Sequence, residues 1–468
     1  MQNELRHNCG LCVAHTLENV YSMIESLQHR GREATGIAAI GDSRIDVIKW
    51  KGPVNRFDIV DLHNIFPSTN YHTYMAHVRY ATRGRKDKIL EDAHPHVIGG
   101  KKIERGSHII IQDCDIAGVH NGQVGSEYFG GVYKSLLITG CDTEALLYYY
   151  QEKGAKEILK QIPLSYTMAI ADKRIRDVIV LRDRTGIKPG VLGLMDGKYG
   201  VSSEDVAYLK KGGEFIKDLE PGVIYYLDSK GGYRKEMVIS PRLAYCFFEY
   251  NYIAHVNSII NGVSVRRVRE LLGEQLANEF HFEDADFVTY LPRCPKVAAR
   301  KYAIEKKLPF IPTLYKMRGE RAFQGSTSDE RKNSIEQNLF LIPDFKNKLP
   351  GKKVISIDDS QIRGNNSKRE RELLYEEAGT ETVYHINYTP PIGIIGKDGI
   401  PRGCMFGVDM PPDDDFIARG RTSDDISEIM NMPTYFISVE GMLSVFEKLG
   451  LPINHLCTYC IGGKNPAI

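Results

Sequence analysis

Cys9 is followed by glycine, and four further signatures come after it in order: Gln28-His29-Arg30-Gly31, His77-Val78-Arg79-Tyr80-Ala81-Thr82, His120-Asn121-Gly122 and Asp142-Thr143-Glu144. Each is weak alone. Together they hold what carboxamide hydrolysis needs: a nucleophile, donors for an oxyanion, and charges that grip an amino-acid substrate. A thiol attacks once a neighbouring base takes its proton, and a free α-amine titrates near ~7.7–8.0, close to neutrality. A cysteine at a chain terminus therefore carries its own base.

The order continues through Arg182-Asp183, Gly186-Ile187-Lys188-Pro189 and Ser202-Ser203-Glu204. The set resembles the N-terminal-nucleophile glutaminase domain of the glutamine phosphoribosylpyrophosphate amidotransferase family. That resemblance implies that Met1–Asn8 is a propeptide whose removal exposes Cys9 as nucleophile and base. It also implies that the Asn121 side chain and the Gly122 backbone N–H form the oxyanion hole. Losing one such donor typically lowers turnover by roughly 10²–10³. Arg79 is implied to clamp the glutamine α-carboxylate through a two-pronged, charge-assisted hydrogen bond. Asp142 is implied to pair with the α-ammonium. Cys141 stands where the family usually has serine, and no substrate contact is expected of it.

The chain has nine cysteines. In a reducing compartment, clustered ones read better as metal ligands or catalysts than as disulfides. Cys457-Thr458-Tyr459-Cys460 alone could be a redox pair, a zinc half-site or chance. Cys246, in Cys246-Phe247-Phe248-Glu249-Tyr250, and Cys404, in Gly403-Cys404-Met405-Phe406-Gly407, join it in resembling the family branch that carries a [4Fe–4S] cluster. Four thiolates suit such a cluster, and zinc in the same Cys₄ set is the chemical alternative. Neither hydrolysis nor amine transfer moves electrons, so a cluster here would be structural or oxygen-sensing.

Val354-Ile355-Ser356-Ile357-Asp358-Asp359-Ser360-Gln361-Ile362-Arg363-Gly364 resembles the phosphoribosylpyrophosphate loop of type I phosphoribosyltransferases. Asp358 and Asp359 would hold ribose hydroxyls and Mg²⁺, while Arg363, Gly364 and the following helix N-terminus receive the phosphate. Three departures fall on this acceptor site. Asn365-Asn366 replace two threonines, Pro292-Arg293-Cys294-Pro295 replaces a Pro-Asp-Ser-like pyrophosphate loop, and Lys316–Phe323 is one residue shorter than the usual mobile loop. Pro295 has no N–H to offer a pyrophosphate.

The elements that must position these residues follow from pattern. At 468 residues the chain exceeds one ordinary core, so two domains are expected. Val20, Met23, Ile24 and Leu27 predict a helix over Thr16–Gly31; Thr167–Ala171, Val178–Leu181 and Val223–Leu227 read as strands. Gly231-Gly232 reads as the turn-like break before the second half. From residue 245 strand and helix alternate: Val265, Val268, Leu272 and Leu276 share a helical face. Val354–Ile357 and Thr382–Ile386 are strands. Ser367 to Glu370 reads as a capping box for a helix ending at Gly379, which together make a βαβ unit. Asp413-Asp414-Asp415 reads as a solvated turn.

The expected architecture is a propeptide at 1–8, a glutaminase domain at 9–235 and a phosphoribosyltransferase-like domain at 245–468. The fold class is α+β and α/β: by resemblance, an N-terminal-nucleophile αββα sandwich precedes a type I phosphoribosyltransferase parallel sheet. Net charge is +1, which gives no reason to expect nucleic acid. No apolar run approaches a bilayer span, and Met1–Asn8 lacks a signal-peptide core, so cytosol is expected. The resemblance implies transfer of glutamine-derived ammonia to phosphoribosylpyrophosphate, the entry step of purine synthesis, by a homotetramer. Two alternatives stay open: a divergent glutaminase whose altered acceptor site (Arg293, Cys294, Asn365, Asn366) serves another acceptor or none, and a silent iron–sulfur regulatory protein.

Overall fold

Alternation along the first strand, Gly10–Ala14, decides what each face touches. Leu11 and Val13 enter a core shared with Ala117, Val119, Ala169 and Val180, while Cys12 and Ala14 pack on Leu17, Val20, Met23 and Ile24. The first core lies between two sheets; the second lies between one sheet and the helix Leu17–Ser26, which Thr16 caps by accepting the Asn19 N–H. A third core seats the helices Asp142–Lys153 and Ala155–Gln161 on the outer face of the other sheet, through Leu146, Leu147, Ile158 and Leu159. The result is helix, sheet, sheet, helix, as expected. This computed structural model describes residues 9–66, 70–80, 88–129, 131–133, 135–317 and 338–467. Met1–Asn8, Ala81-Thr82 and residues 318–323 of the expected mobile loop lie outside them.

The first sheet has nine strands, ordered Glu214–Asp218, Val191–Met195, Lys198–Ser202, Gly10–Ala14, Tyr71–Arg79, Ala34–Gly41, Ile45–Lys51, His108–Gln112 and Lys101–Glu104. The second has six: Tyr233–Met237, Val223–Leu227, Val178–Arg182, Tyr166–Asp172, Ile116–Gly122 and His96–Ile98. Pairing throughout is antiparallel. Gly231-Gly232 is indeed a turn, but it closes a hairpin inside the second sheet, and the strand it starts runs on to Met237, past the expected boundary at 235.

The second half is built on a four-stranded parallel sheet, ordered Phe287–Tyr290, Lys353–Asp358, Thr382–Asn387 and Thr434–Phe436. Val288, Ile355, Ile357 and Ile386 face Val268, Leu272 and Tyr302; Phe287, Val354 and Val383 face Leu373, Leu374 and Ile426. Both faces are covered, which is why these strands read as near-continuous apolar runs. The helix Val265–Glu279 buries the predicted face.

Two local expectations are corrected. The helix after the phosphate loop begins at Asn365, behind Gly364 in the left-handed region (φ 77), so Ser367 and Glu370 fall on its inner face instead of at its cap. Glu370 accepts a hydrogen bond from Ser356 Oγ and holds His385 Nδ1 at 2.7 Å. Asp414 is not solvated: it is buried and pairs with Arg363.

Candidate active site

Cys9 immediately precedes the strand Gly10–Ala14, which neighbours the central strand Tyr71–Arg79 of the nine-stranded sheet; with Gly10 paired to Val78, Cys9 stands beside the end of the strand that carries Arg79. Its carbonyl accepts Arg30 Nε–H at 2.9 Å, and its side chain is fully buried. Burial pushes the thiol up to about 12, against a lowering by the Tyr80 backbone and the Arg79, Lys188 and Arg30 charges. At neutral pH such a thiol needs a proton acceptor at contact distance. His77 is not that acceptor: burial drops its imidazole to about 3, and its Nε2 is bonded to the His120 carbonyl at 3.0 Å.

That His77–His120 bond ties the first sheet to the strand Ile116–Gly122 of the second, where the oxyanion candidates sit. Asn121 is fully buried, yet among the described residues neither Oδ1 nor Nδ2 has a hydrogen-bond partner. A buried amide left unbonded forfeits roughly 1–3 kcal/mol, so it requires an explanation. A donor reserved for a substrate oxygen supplies one. At Gly122 (φ 155) an added Cβ would lie 1.9 Å from the Ser165 carbonyl, so only glycine fits.

Arg79 is also buried. Its Nη1 lies 3.2 Å from Glu33 and 3.3 Å from the Ile89 carbonyl, and Asp92 stands 3.7 Å from Nη2; among the described residues Nε and Nη2 have no hydrogen-bond partner. Asp142 opens its helix, and its Oδ2 accepts the Val124 N–H at 2.7 Å, which fixes it beyond Gly122. The second oxygen lies 3.7 Å from His120 Nδ1. The structure therefore sets Cys9 beside Arg79 at one sheet, and Asn121 and Gly122 on the other with Asp142 at the start of the helix packed on it.

A family model for a glutamine amidotransferase domain matches residues 132–230. An amidophosphoribosyltransferase from Archaeoglobus fulgidus is 30% identical over 455 residues, 95% of this chain and 94% of its own length. The chain belongs to the amidophosphoribosyltransferase family. A Bacillus subtilis relative of the same name is 27% identical over 95% of this chain and 90% of its own. Among solved structures, one described as the allosteric regulatory enzyme of purine biosynthesis superposes with a TM-score of 0.80 at 26% identity, covering 98% of this chain and 96% of the other. The glutamine phosphoribosylpyrophosphate amidotransferase from B. subtilis gives 0.79 at 25% identity over 98% and 97%. The family is one of glutamine amidotransferases of purine biosynthesis, and the two-layer sandwich followed by a parallel sheet is its fold.

In the family frame, Asp358 and Asp359 close the strand Lys353–Asp358 at its C-terminal end, where open parallel sheets bind ligands. Both are buried. Burial holds both above the usual carboxylate range, and the Asp359 charge adds to this at Asp358, a strain that a cation would relieve. Arg363 gives Nη2 to Asp414 and to the Asp409 carbonyl at 3.4 Å; among the described residues Nε and Nη1 have no hydrogen-bond partner. Asn365 and Asn366 occupy the first turn of the helix behind Gly364. Pro295, the most awkward departure, stands immediately before the helix Lys296–Lys306, where a missing N–H removes no helical bond. Arg293 Nη2 donates to the Met317 carbonyl at 2.9 Å, joining this segment to the hairpin strand Leu314–Lys316.

Cys246, Cys404, Cys457 and Cys460 line one cavity with Phe248, Phe406 and Tyr459. Cys246 and Cys457 are registered opposite each other in a short parallel pair. Cys404 Sγ accepts the Phe406 and Val408 N–H groups at 3.3 and 3.4 Å. Burial pushes the Cys246 thiol up to about 12, and neighbouring sulfurs raise Cys457 and Cys460 further, so thiolates here require a cationic group. A single tetrahedral zinc draws thiolates to about 3.8 Å apart, given Zn–S of about 2.3 Å. Among the described residues, no three of these sulfurs lie within 4.8 Å of one another.

Sequence reasoning quoted Arg30, Glu204, Glu249 and Lys188 inside motifs but gave them no work. Arg30, with no exposed surface, sends Nη1 to Glu204 at 2.5 Å and Nη2 to Glu249 at 3.0 Å, besides holding the Cys9 carbonyl. Glu204 in turn accepts the His255 N–H at 2.8 Å and the Ser258 hydroxyl at 2.5 Å. Charges in three separated motifs, none with an evident substrate, were the available signal.

Proposed function

We propose that this chain hydrolyses glutamine at Cys9 and passes the ammonia to C1 of phosphoribosylpyrophosphate, giving 5-phosphoribosylamine, glutamate and pyrophosphate. Membership of the family supports the reaction, and the buried, unbonded Asn121 amide carries the assignment of the first half to these residues. With Met1–Asn8 removed, the Cys9 amine takes the thiol proton as Sγ attacks the carboxamide carbon. Asn121 Nδ2 and the Gly122 N–H stabilise the oxyanion, and the protonated amine returns its proton as ammonia leaves. Water then cleaves the thioester to release glutamate. Arg79 and Asp142 hold the two ends of the amino-acid group.

In the second half, Asp358 and Asp359 hold ribose hydroxyls and Mg²⁺, and Arg363 with the Gly364 turn receives phosphate. Bound there, Mg²⁺ would neutralise the departing pyrophosphate. Cys246, Cys404, Cys457 and Cys460 would hold a [4Fe–4S] cluster, which supplies a structural cross-link of the second domain.

The test follows glutamate and pyrophosphate together in one mixture of processed enzyme, glutamine, Mg²⁺ and phosphoribosylpyrophosphate. Equal amounts of the two products are expected; glutamate without pyrophosphate rejects the acceptor. For Asn121→Ala, kcat with glutamine is expected to fall roughly 10²–10³-fold. The ammonia-dependent rate should change little. A loss of less than about threefold would remove Asn121 from the oxyanion hole.

A further inference from the structure

His94, His96 and Cys141 converge in the glutaminase half, away from the four-cysteine cavity. All three are buried, and one donor atom from each lies within 4.8 Å of the other two. Neither glutamine hydrolysis nor the cluster uses them. We propose that these three residues form a second metal site, which binds a borderline-soft divalent cation of the zinc class.

The donor set decides the class of ion. Two imidazoles and a thiolate suit zinc, whose ligands sit at about 2.0–2.3 Å, so the donors would close to roughly 3.3–3.6 Å of one another. That asks for a contraction of about an ångström. The framework allows it: His96 begins the edge strand His96–Ile98, bonded on one side only, and Cys141 lies in the connection just before the helix Asp142–Lys153.

The surroundings hold the ligands in place. His94 Nε2 meets Thr143 Oγ1 at 2.8 Å, and His120 Nδ1 meets the same oxygen at 3.0 Å. Ring-nitrogen bonds of this kind orient imidazoles beside metals. Lys49 Nζ donates to the Glu91 and Ala93 carbonyls at 3.0 and 2.8 Å, pinning the segment that leads into His94. The Cys141 thiol donates to Asp142 Oδ1 at 3.6 Å and to Thr143 Oγ1 at 3.5 Å. The cation would displace that proton to solvent, forming the metal–sulfur bond as the S–H bond breaks. A fourth position is left for water.

The test needs no turnover and so stands apart from the proposed reaction. The full chain, purified anaerobically with its iron intact, is equilibrated with zinc, desalted, and assayed for zinc and iron per chain. Loss of one zinc equivalent is expected in both Cys141→Ser and His96→Leu, with iron unchanged, while Cys457→Ser keeps that zinc. Serine caps helices well and Cys141 makes no cap bond now, so Cys141→Ser should fold; His96→Leu decides alone if it does not. Cobalt(II) added to zinc-free protein should give a thiolate-to-cobalt charge-transfer band that Cys141→Ser lacks. Zinc content equal in wild type and both variants, or no zinc retained by the wild type, overturns the site.

Discussion

Replacing Cys9 with alanine is expected to lower glutamate release from glutamine by at least about 10⁴-fold, the scale on which enzymes lose turnover when the nucleophile is removed. Ammonia-dependent formation of phosphoribosylamine should survive, because Asp358, Asp359 and Arg363 are held by a separate sheet. The reason for so large an effect lies in the geometry. The thiol is buried and its proton is held to about 12, so only a base in van der Waals contact can remove it. The one nitrogen always at that distance is the residue's own, once the peptide bond before it is cut. The assay compares glutamate release with ammonia-supported pyrophosphate release in the same preparation. If the alanine variant kept a normal glutaminase rate, Cys9 would have no catalytic role.

The second large effect concerns Arg30. Arg30→Met removes a cation that touches both Glu204 and Glu249, and breaking a buried pair from one side typically destabilises by about 3–5 kcal/mol. The midpoint of chemical unfolding should fall accordingly, and glutaminase activity with it, since the Cys9 carbonyl loses its 2.9 Å bond. The pH dependence is a sharper reading. Burial alone raises Glu204, but His29 and Arg30 overcome it and hold the carboxyl well below its ordinary range. A carboxylate lowered by folding contributes stability above its unfolded value, near ~4.3, and that stability is lost as pH falls through the folded value. Without Arg30 that lowering weakens while the His29 and Ser258 contributions remain, so the variant loses part of the stability the wild type gains above its folded value. The gap between wild type and variant should therefore widen as pH rises towards ~4.3 and level off above it. A constant gap would mean that Arg30 acts by packing alone.

The strands of the second sheet were legible because Thr167–Ala171, Val178–Leu181 and Val223–Leu227 are apolar runs bounded by turn residues, and all three are strands in the fold. The helix after the phosphate loop was legible in its end and not in its start. Gly379 stops it as expected, but Ser367 and Glu370, which mimic a capping box, serve His385 and Ser356 on two neighbouring strands. A local pattern cannot report a bond made eighteen residues away. Asp414 misled for the same reason: three consecutive acids look solvated until Arg363 arrives from another element. In the glutaminase half the residues assigned to substrate were singled out by type and order, whereas the Arg30–Glu204–Glu249 bridge is assembled across 219 positions of sequence. His94-Pro95-His96 held a short-range signal of paired imidazoles, but its meaning depends on Cys141, which only the packing of the second sheet against its helix brings near.

Parity along the first strand has a biosynthetic consequence. Leu11 and Val13 point between the sheets and Cys12 and Ala14 point at the helices, so continued alternation would send the preceding odd position, Cys9, to the inter-sheet side. On the proposed mechanism maturation would have no tolerance: a cut one bond early would leave the sulfur in place but its nitrogen tied up as an amide, and a cut one bond late would discard the sulfur. Either product would keep its shape, its cores and its second domain, and be inert toward glutamine.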